Sequence, residues 1–574
     1  MIDSRIKQIK IGLVSCGIAA GGEAVYKELT AAAGEIPVVK VGCLGHCYAE
    51  PLVEAVLNDG TSIFYNNVQG TAEAVANIFS LGENGRFTIP AKRKAKELVK
   101  VLAMAGNIDP TSFDDYVRCG GYEGLKKALA MPPEEVVNEV KISGLRGRGG
   151  GGFSTGMKWS FLAAKDSDEK VIVCNADEGD PGAFMDRSLM ESVPHQVLEG
   201  MLIAAHATRA AKLIIYCRAE YPMAIDNLNI AIAQIKANKL NIIGGREIDI
   251  YIKEGAGAFV CGEETALIAS LEGQRGMPRF RPPFPTDSGY MGHPTMINNV
   301  ETFGNVPLIL REGGAEFAKV GTEGSRGTKI FALAGDLEYP GLVEVPMGTT
   351  ISEIVFDIGG ADPEKVKAVQ TGGPSGGCIP KDMFDTPVDY DSLRSLGAIM
   401  GSGGMIVIGN DRCMVETARY FLDFTHRESC GKCTFCRVGT TRMFEILERI
   451  VAGNGCEADL NVLEDLGKKI KAGSLCGLGQ TAPNPVLATL RYYRDEYLEH
   501  VNDKSCRAAQ CNALSDIVLD QSKCVKCKLC LRSCPVEAIS TDFVIDPGKC
   551  TRCNSCVDIC PKHAIRRIAK GENR

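Results

Sequence analysis

Two cysteine runs near the C-terminus carry the most specific chemistry in this 574-residue sequence. The strings CVKCKLCLRSCP and CTRCNSCVDICP both follow C-x2-C-x2-C-x3-C-P, and each cysteine of the first recurs 26 residues later. Thiolates at that spacing wrap a cubane [4Fe-4S] cluster, the proline ends the loop, and the fourth cysteine reaches the neighbouring cluster. The pattern predicts one cluster on Cys524, Cys527, Cys530 and Cys560 and a second on Cys550, Cys553, Cys556 and Cys534. Zinc modules use paired CxxC units rather than this duplication. Upstream, SCGKCTFCR places Cys430, Cys433 and Cys436 at C-x2-C-x2-C, with Cys476 in GSLCGLGQ as a remote fourth thiolate. That set suits a third [4Fe-4S] cluster, with structural zinc as the alternative.

The remaining cysteines divide. Cys506 and Cys511 follow His500 as H-x5-C-x4-C, and Cys456 precedes them. Three thiolates and an imidazole suit a closed tetrahedral zinc site, against unrelated core and surface cysteines. Cys119, Cys174, Cys217, Cys261, Cys378 and Cys413 read most simply as small buried residues.

A different chemistry is suggested by GLRGRGGGGFSTGMKWSF at 144–161. Glycines let backbone N–H groups approach a phosphate or a flat ring, and Lys158 adds positive charge. The spacing matches neither the usual dinucleotide fingerprint nor the P-loop, so a flexible loop stays open as the alternative. NADEGDPGAF (175–184), GAGAFVCGEETAL (255–267), RPPFP (281–285) and INNVET (297–302) mix glycine with carboxylates or carboxamides. Carboxylates accept bonds from sugar hydroxyls, and amides match the donor and acceptor edge of a flavin. Glu263 and Glu264 also fit a solvated helix start.

The elements that must position these residues are those of a multidomain chain, since one core stops growing well below this length. The 24 cysteines in a sequence without a secretion signal point to metal ligation rather than disulfides. A net charge of -7 carries no nucleic-acid footprint, and no apolar run reaches the roughly 18 residues of a spanning helix. No nucleic acid, no membrane and a cytoplasmic setting are expected. Residues 1–85 read as a small α/β module. Strands such as KVIVCNA and KLIIYCRA alternate with helices over 110–325, a layered α/β core. A β-rich insert (326–410), helices (411–500), a linker with the zinc candidates (501–519) and the duplicated tail (520–574) follow.

Together these strings closely resemble the NADH-binding flavoprotein subunit of respiratory complex I and its relatives in hydrogenases and formate dehydrogenases, over about residues 110–500. The resemblance implies a Rossmann-like domain for FMN and NADH, a ubiquitin-like β-grasp insert, a helical bundle with [4Fe-4S], and a C-terminal 2[4Fe-4S] ferredoxin. Carried over by motif, Gly147, Arg148, Gly149, Lys158, Asn175, Asp177, Glu178, Gly262, Glu263, Asn298 and Asn299 would surround FMN. Gly150, Phe153, Phe161, Glu264, Arg281 and Phe284 would meet NADH, with Phe153 and Phe161 near the nicotinamide and Phe284 on the adenine. The implied chemistry is hydride transfer from NADH to FMN and then single electrons to the Cys430 cluster, with Lys158, Phe153 and Phe161 in catalytic positions. Asp180 stands where the family usually has glutamate, Phe259 where tyrosine is common, and Arg281 for a frequent lysine. A ribose-facing Glu264 would repel a 2′-phosphate and favour NADH.

Cys16, Cys43 and Cys47, in SCGIAAGG and GCLGHCYAEP, resemble a thioredoxin-like [2Fe-2S] module that normally brings four cysteines. Gly21 occupies the expected fourth position, which leaves a [2Fe-2S] with a non-standard ligand, His46 being one candidate, or an empty relic. Both terminal modules resemble the flavin subunit of NAD-dependent, electron-bifurcating [FeFe]-hydrogenases. Its partners would be a hydrogenase catalytic subunit, a small thioredoxin-like [2Fe-2S] subunit and soluble ferredoxin in a hetero-oligomer. The rival readings are a formate dehydrogenase diaphorase and an electron relay with a vestigial nucleotide site.

Overall fold

The computed structural model describes residues 2–572, and the chain divides into two compact units, Met1–Gly373 with Lys381–Val407, and Pro374–Pro380 with Ile408–Arg574. The first unit begins with strands β1 (Ile6–Gly12), β2 (Val38–Val41), β3 (Val53–Leu57), β4 (Ser62–Tyr65) and β5 (Arg86–Phe87), in the order β2-β1-β3-β4-β5. The period-2 pattern of β1 sends Ile9 and Ile11 into the core, where they meet Val25 and Leu29 of helix Gly22–Ala32 and Val75 and Ile78 of helix Ala72–Phe79. Thr71 caps the latter helix, its hydroxyl accepting from the Ala74 N–H at 3.3 Å.

The centre of this unit is a parallel sheet of β6 (Val171–Ala176), β7 (Lys212–Arg218), β8 (Asp249–Gly255) and β9 (Thr295–Asn299), ordered β8-β7-β6-β9. VIVCNA and KLIIYCR are apolar almost throughout because helices cover both faces of a parallel sheet. Helices Pro194–Thr208 and Val300–Glu312 supply much of that cover. The chain leaves β6 toward β7 on one side, while β9 docks on the other. Such a switch point opens a crevice beyond the carboxyl ends of the two strands. Asn175 pairs in register with Asn299, and Cys174 with Asn298, at that end.

Strands Thr328–Gly335, Gly341–Pro346, Val366–Thr371 and Gly404–Gly409 form a further mixed sheet, in which Thr328–Gly335 pairs antiparallel with Gly341–Pro346 and parallel with Gly404–Gly409.

In the second unit, helices Met414–Arg427, Thr434–Val451, Glu457–Gly473 and Asn484–Tyr492 share a core that includes Leu422, Leu447, Leu463 and Val486. The duplicated tail is bracketed by strands Ser515–Leu519 and Ile565–Ala569, paired antiparallel. Among the described residues no helix is long and apolar enough to cross a membrane.

Candidate functional site

The glycine-rich segment folds as a closed loop: Arg146 bridges Ser154, the Gly147 N–H donates to Phe153 O at 2.8 Å, and Ser154 caps helix Thr155–Ala163. Gly150 adopts φ +113°, and a Cβ there would lie 3.2 Å from the Gly401 backbone, so an L side chain meets both strain and a tight contact. The neighbouring Gly151 has nothing within 4 Å of a built Cβ, so the loop presents open backbone at a helix N-terminus. That combination suits an anionic or planar ligand.

Around the switch-point crevice stand the side chains expected from the motifs. The Asn175 amide donates to Gly262 O at 2.9 Å, and Asn298 Oδ1 accepts from the indole of the fully buried Trp159 at 3.1 Å. Asn299 donates to Asp186 at 2.5 Å and caps helix Val300–Glu312. The Lys158 ammonium donates to Ile297 O at 3.0 Å and lies 3.7 Å from Glu264, whose other oxygen is 2.5 Å from Arg281. Burial lowers the Lys158 pKa, and Glu264 opposes that shift. Two buried polar atoms, Thr155 Oγ1 and Asp180 Oδ1, have no partner among the described residues. A bound ligand with polar edges would satisfy them. Burial pushes the Asp180 carboxyl up to about 7, with Ser402 donating to it at 3.1 Å. Gly373, at φ +72°, brings its backbone so close to this carboxylate that a Cβ there would clash with it.

Three large rings stay out in solvent: Phe153 is 52% exposed, Phe161 44% and Phe284 50%. The first two have centroids 6.4 Å apart at 43°. Exposed rings on a rigid loop and helix offer stacking surface for flat ligands.

Three of the residues expected to surround a flavin bond to backbone groups of the protein. The buried Arg148 guanidinium donates to the carbonyls of Arg146, Arg326 and Thr328, so it buttresses the loop from behind. The Glu178 carboxylate accepts from the Asp186 and Arg187 N–H groups at 3.1 Å, at the start of helix Met185–Ser192. Glu263 caps helix Glu264–Leu271 through the Thr265 and Ala266 N–H groups, both at 2.9 Å. Glu178 and Glu263 are held by backbone N–H groups at nearby helix starts, whereas Arg148 takes carbonyls of the distant Arg326 and Thr328 as well as that of Arg146. Gly147, Gly149, Gly262 and Asp177 line the same region, where a Cβ on Gly149 would press on Asn299 at 2.9 Å and one on Gly262 would meet only Asp177 O at 3.8 Å.

The second unit assembles the thiolates. Cys524, Cys527, Cys530 and Cys560 line one pocket, and Cys534, Cys550, Cys553 and Cys556 line another. Each quartet is the crossed set expected from the repeat. Cys433 and Cys476 sit at the N-caps of helices Thr434–Val451 and Gly477–Thr481, and the Leu475 N–H donates to Cys433 Sγ at 3.4 Å. Burial raises the Cys436 thiol pKa, assisted by the charges of Cys476, Cys430 and Cys433.

The candidate metal-ligand set has a different fourth member from the one expected. Cys413, His500, Cys506 and Cys511 are all buried with ligand atoms within 4.8 Å of one another, and Cys413 stands where Cys456 was expected. His500 Nε2 is 3.3 Å from both Cys413 Sγ and Cys511 Sγ, which are 3.8 Å apart. A tetrahedron with Zn–S bonds of about 2.3 Å has edges of about 3.8 Å. His500 Nδ1–H donates to Glu496 O at 2.7 Å, which leaves Nε2 as the ligand atom. Cys456 is exposed and opens helix Glu457–Gly473 in a reciprocal cap with Asp459. Cys413 carried no motif, and only its place before helix Met414–Arg427 brings it to the others.

In the first unit the Sγ atoms of Cys16, Cys43 and Cys47 also lie within 4.8 Å of one another. Hydrogen bonds from Cys43 and Cys47 hold the Cys16 thiol down at about 3. His46 does not join them: its ring packs edge-on against Tyr48 and Phe87. Burial, with the Cys16 charge, pushes the nearby Glu50 carboxyl up to about 8.

Residues 140–308 match the Nuo51 FMN-binding domain, residues 416–500 the NADH-ubiquinone oxidoreductase-F iron-sulfur binding region, and residues 517–540 and 543–566 the 4Fe-4S binding domain. The chain is 53% identical over 451 residues to the NADP-reducing hydrogenase subunit HndC of Solidesulfovibrio fructosivorans, covering 78% of this chain and 92% of that one. It is 45% identical over 398 residues to an NADH-quinone oxidoreductase subunit of Rhizobium meliloti, covering 68% of this chain and 94% of that one. The crystal structure of an NAD+-reducing [NiFe]-hydrogenase in the H2-reduced state superposes with a TM-score of 0.64 at 30% identity, covering 86% of this chain and 84% of that chain.

Proposed function

Because this chain belongs to the family of FMN- and iron–sulfur-carrying oxidoreductase subunits of NADH-quinone oxidoreductases and NAD(P)-reducing hydrogenases, we propose that it oxidises NADH in a bifurcating hydrogenase complex. In that complex it would exchange electrons between NAD(H), FMN, its iron–sulfur centres and ferredoxin. The observation that carries this reading is the switch-point crevice, with open glycine backbone on one side, Asn175, Asn298 and Asn299 on the other, and exposed Phe153 and Phe161 beside it. FMN bound there supplies the exchange between a two-electron hydride donor and one-electron clusters. The chain's own part is geometric. The glycine loop and the N-terminus of helix Thr155–Ala163 would hold the phosphate of FMN, Asn175, Asn298 and Asn299 would offer amide groups to it, and Lys158 would supply a positive charge. Phe153 and Phe161 would hold the nicotinamide, and Phe284 the adenine.

We assign residues 1–85 to a thioredoxin-like module with a [2Fe-2S] centre, 110–325 to the FMN and NADH domain, 326–410 to a β-grasp domain, 411–500 to the bundle with [4Fe-4S], 501–519 to the zinc-site linker and 520–574 to the ferredoxin tail. The ferredoxin tail and N-terminal module favour the hydrogenase setting, with a catalytic hydrogenase subunit and a small [2Fe-2S] subunit as partners. NADH rather than NADPH is the expected donor, since Glu264 would face the adenosine ribose and repel a 2′-phosphate. The test is viologen reduction by the isolated, cluster-loaded chain with each nucleotide. Reduction by NADH with a higher kcat/KM than NADPH is expected. No reduction by either removes the catalytic reading, and a preference for NADPH reverses the role given to Glu264.

Cys413, His500, Cys506 and Cys511 fit zinc by donor type, burial and edge lengths. Cys413→Ser is therefore expected to bring the zinc content well below that of the wild type, and Cys456→Ser to leave it intact. Elemental analysis of metal-replete protein decides between them, and the opposite pattern restores the set containing Cys456.

A further inference from the structure

The glycine-rich loop is gripped from the mixed-sheet insert as well as closed by its own ends. Helix Tyr390–Ser395 opens on Asp389, whose carboxylate accepts from the Asp391 and Ser392 N–H groups at 3.0 and 2.7 Å. The chain leading to that cap is tied back by the Val388 N–H, which donates to Thr349 O at 2.9 Å. Tyr390 is thereby set at a fixed point, buried and only 3% exposed. Its hydroxyl donates away from its own helix, to Gly147 O at 2.8 Å across 243 residues of chain.

Further contacts converge on the same loop. A Cβ on Gly152, at φ +62°, would lie 2.6 Å from the Tyr390 ring, so only glycine lets ring and backbone come this close. The Arg146 guanidinium stands 4.4 Å over the centroid of that ring, its Nε donates to Gly152 O at 2.6 Å, and it pairs with Asp391 at 3.3 Å. Gly147 has both polar groups engaged, since its N–H donates to Phe153 O. Phe153 is therefore fixed from two sides: its carbonyl through Gly147, which Tyr390 holds, and the residue before it through contact with the Tyr390 ring. A ring that stands 52% exposed has little packing of its own to set its place, so its backbone sets it.

We propose that Tyr390 is a positioning residue for hydride transfer, holding the glycine loop so that the Phe153 ring stands where the nicotinamide would stack. This rests on the reading of the crevice given above, and it gives the insert a part in that site. The role is indirect: hydroxyl and ring act on the loop backbone, and Phe153 meets the nucleotide. Hydride transfer is steep in geometry, so slack in the loop costs rate before it costs fold. Tyr390→Phe keeps the ring against Gly152 and Arg146 and deletes only the bond to Gly147 O.

The test uses the full-length, flavin- and cluster-loaded chain as wild type, Tyr390→Phe, Phe153→Ala and the double variant, with FMN content and Tm as the gauge of folding. Tyr390→Phe is expected to lower kcat/KM for NADH with viologen by about 10-fold. In the Phe153→Ala background the same substitution should cost less than about 2-fold, because the ring that the loop positions is gone. A purely structural role gives losses that multiply, and that result overturns the proposal. The second readout needs no turnover. Hydrogen exchange of the backbone amides in residues 146–154 should run about 10-fold faster in Tyr390→Phe than in the wild type, with and without bound flavin, while strand Thr328–Gly335 exchanges as before. Unchanged exchange in the variant, in a chain that oxidises NADH, overturns Tyr390 and leaves the proposed function standing. A wild type that holds FMN and does not oxidise NADH overturns that function, and the role of Tyr390 with it.

Discussion

Phe153→Ala, in protein that retains its full FMN content, is expected to lower kcat/KM for NADH by about 10- to 100-fold with viologen as acceptor. The ring projects from the glycine loop at 52% exposure and contributes nothing to a core. Its removal should leave Tm near the wild-type value, within the roughly 0.5 kcal/mol typical of surface changes. What it should remove is the ring proposed to lie against the nicotinamide, 6.4 Å from that of Phe161. Hydride transfer is steep in geometry, and a displacement of about 1 Å can cost about 10²-fold. Steady-state kinetics with saturating viologen, alongside FMN quantitation, is the measurement. A wild-type rate would place the nicotinamide elsewhere.

Lys329→Met is expected to destabilise the first unit by about 3–5 kcal/mol, the cost of leaving a buried carboxylate without its partner. Lys329 is fully buried and ion-paired with the equally buried Glu301, whose other oxygen accepts from the Ile330 N–H at 3.0 Å. Asp186 lies in the same cluster, its Oδ1 accepting from the Glu301 N–H at 3.2 Å, and burial together with the Glu178 and Glu301 charges raises its pKa well above the carboxylate range. Lys329 sets its positive charge against these acids. For a domain of a few hundred residues the loss amounts to roughly 10 °C in Tm. The double variant Lys329→Met/Glu301→Gln should recover much of it, since the orphaned charge is then gone. Thermal release of FMN, followed by fluorescence, reads both variants. A single variant melting with the wild type would mean that water or rearrangement neutralises Glu301.

The parts of this protein legible in its sequence are those whose determinants are close together in the chain. The crossed quartets Cys524/Cys527/Cys530/Cys560 and Cys550/Cys553/Cys556/Cys534 follow from the two adjacent repeats, three cysteines of each set coming from one run and the fourth from the other. The runs VIVCNA and KLIIYCR likewise announced strands of a layered α/β core, and the structure shows them buried and parallel. Where several readings fitted one residue type, local spacing was not enough. Arg148, Glu178 and Glu263 look like ligand-facing charges in their motifs, yet backbone groups at a loop and two helix starts claim them.

Sequence by itself determined the cysteine arithmetic, the glycine loop and the family resemblance. Tertiary structure alone decided which residues complete sites built from distant segments. The zinc candidate takes Cys413 instead of Cys456, although 87 residues separate Cys413 from His500, because helix packing and not chain distance brings the sulfur to the imidazole.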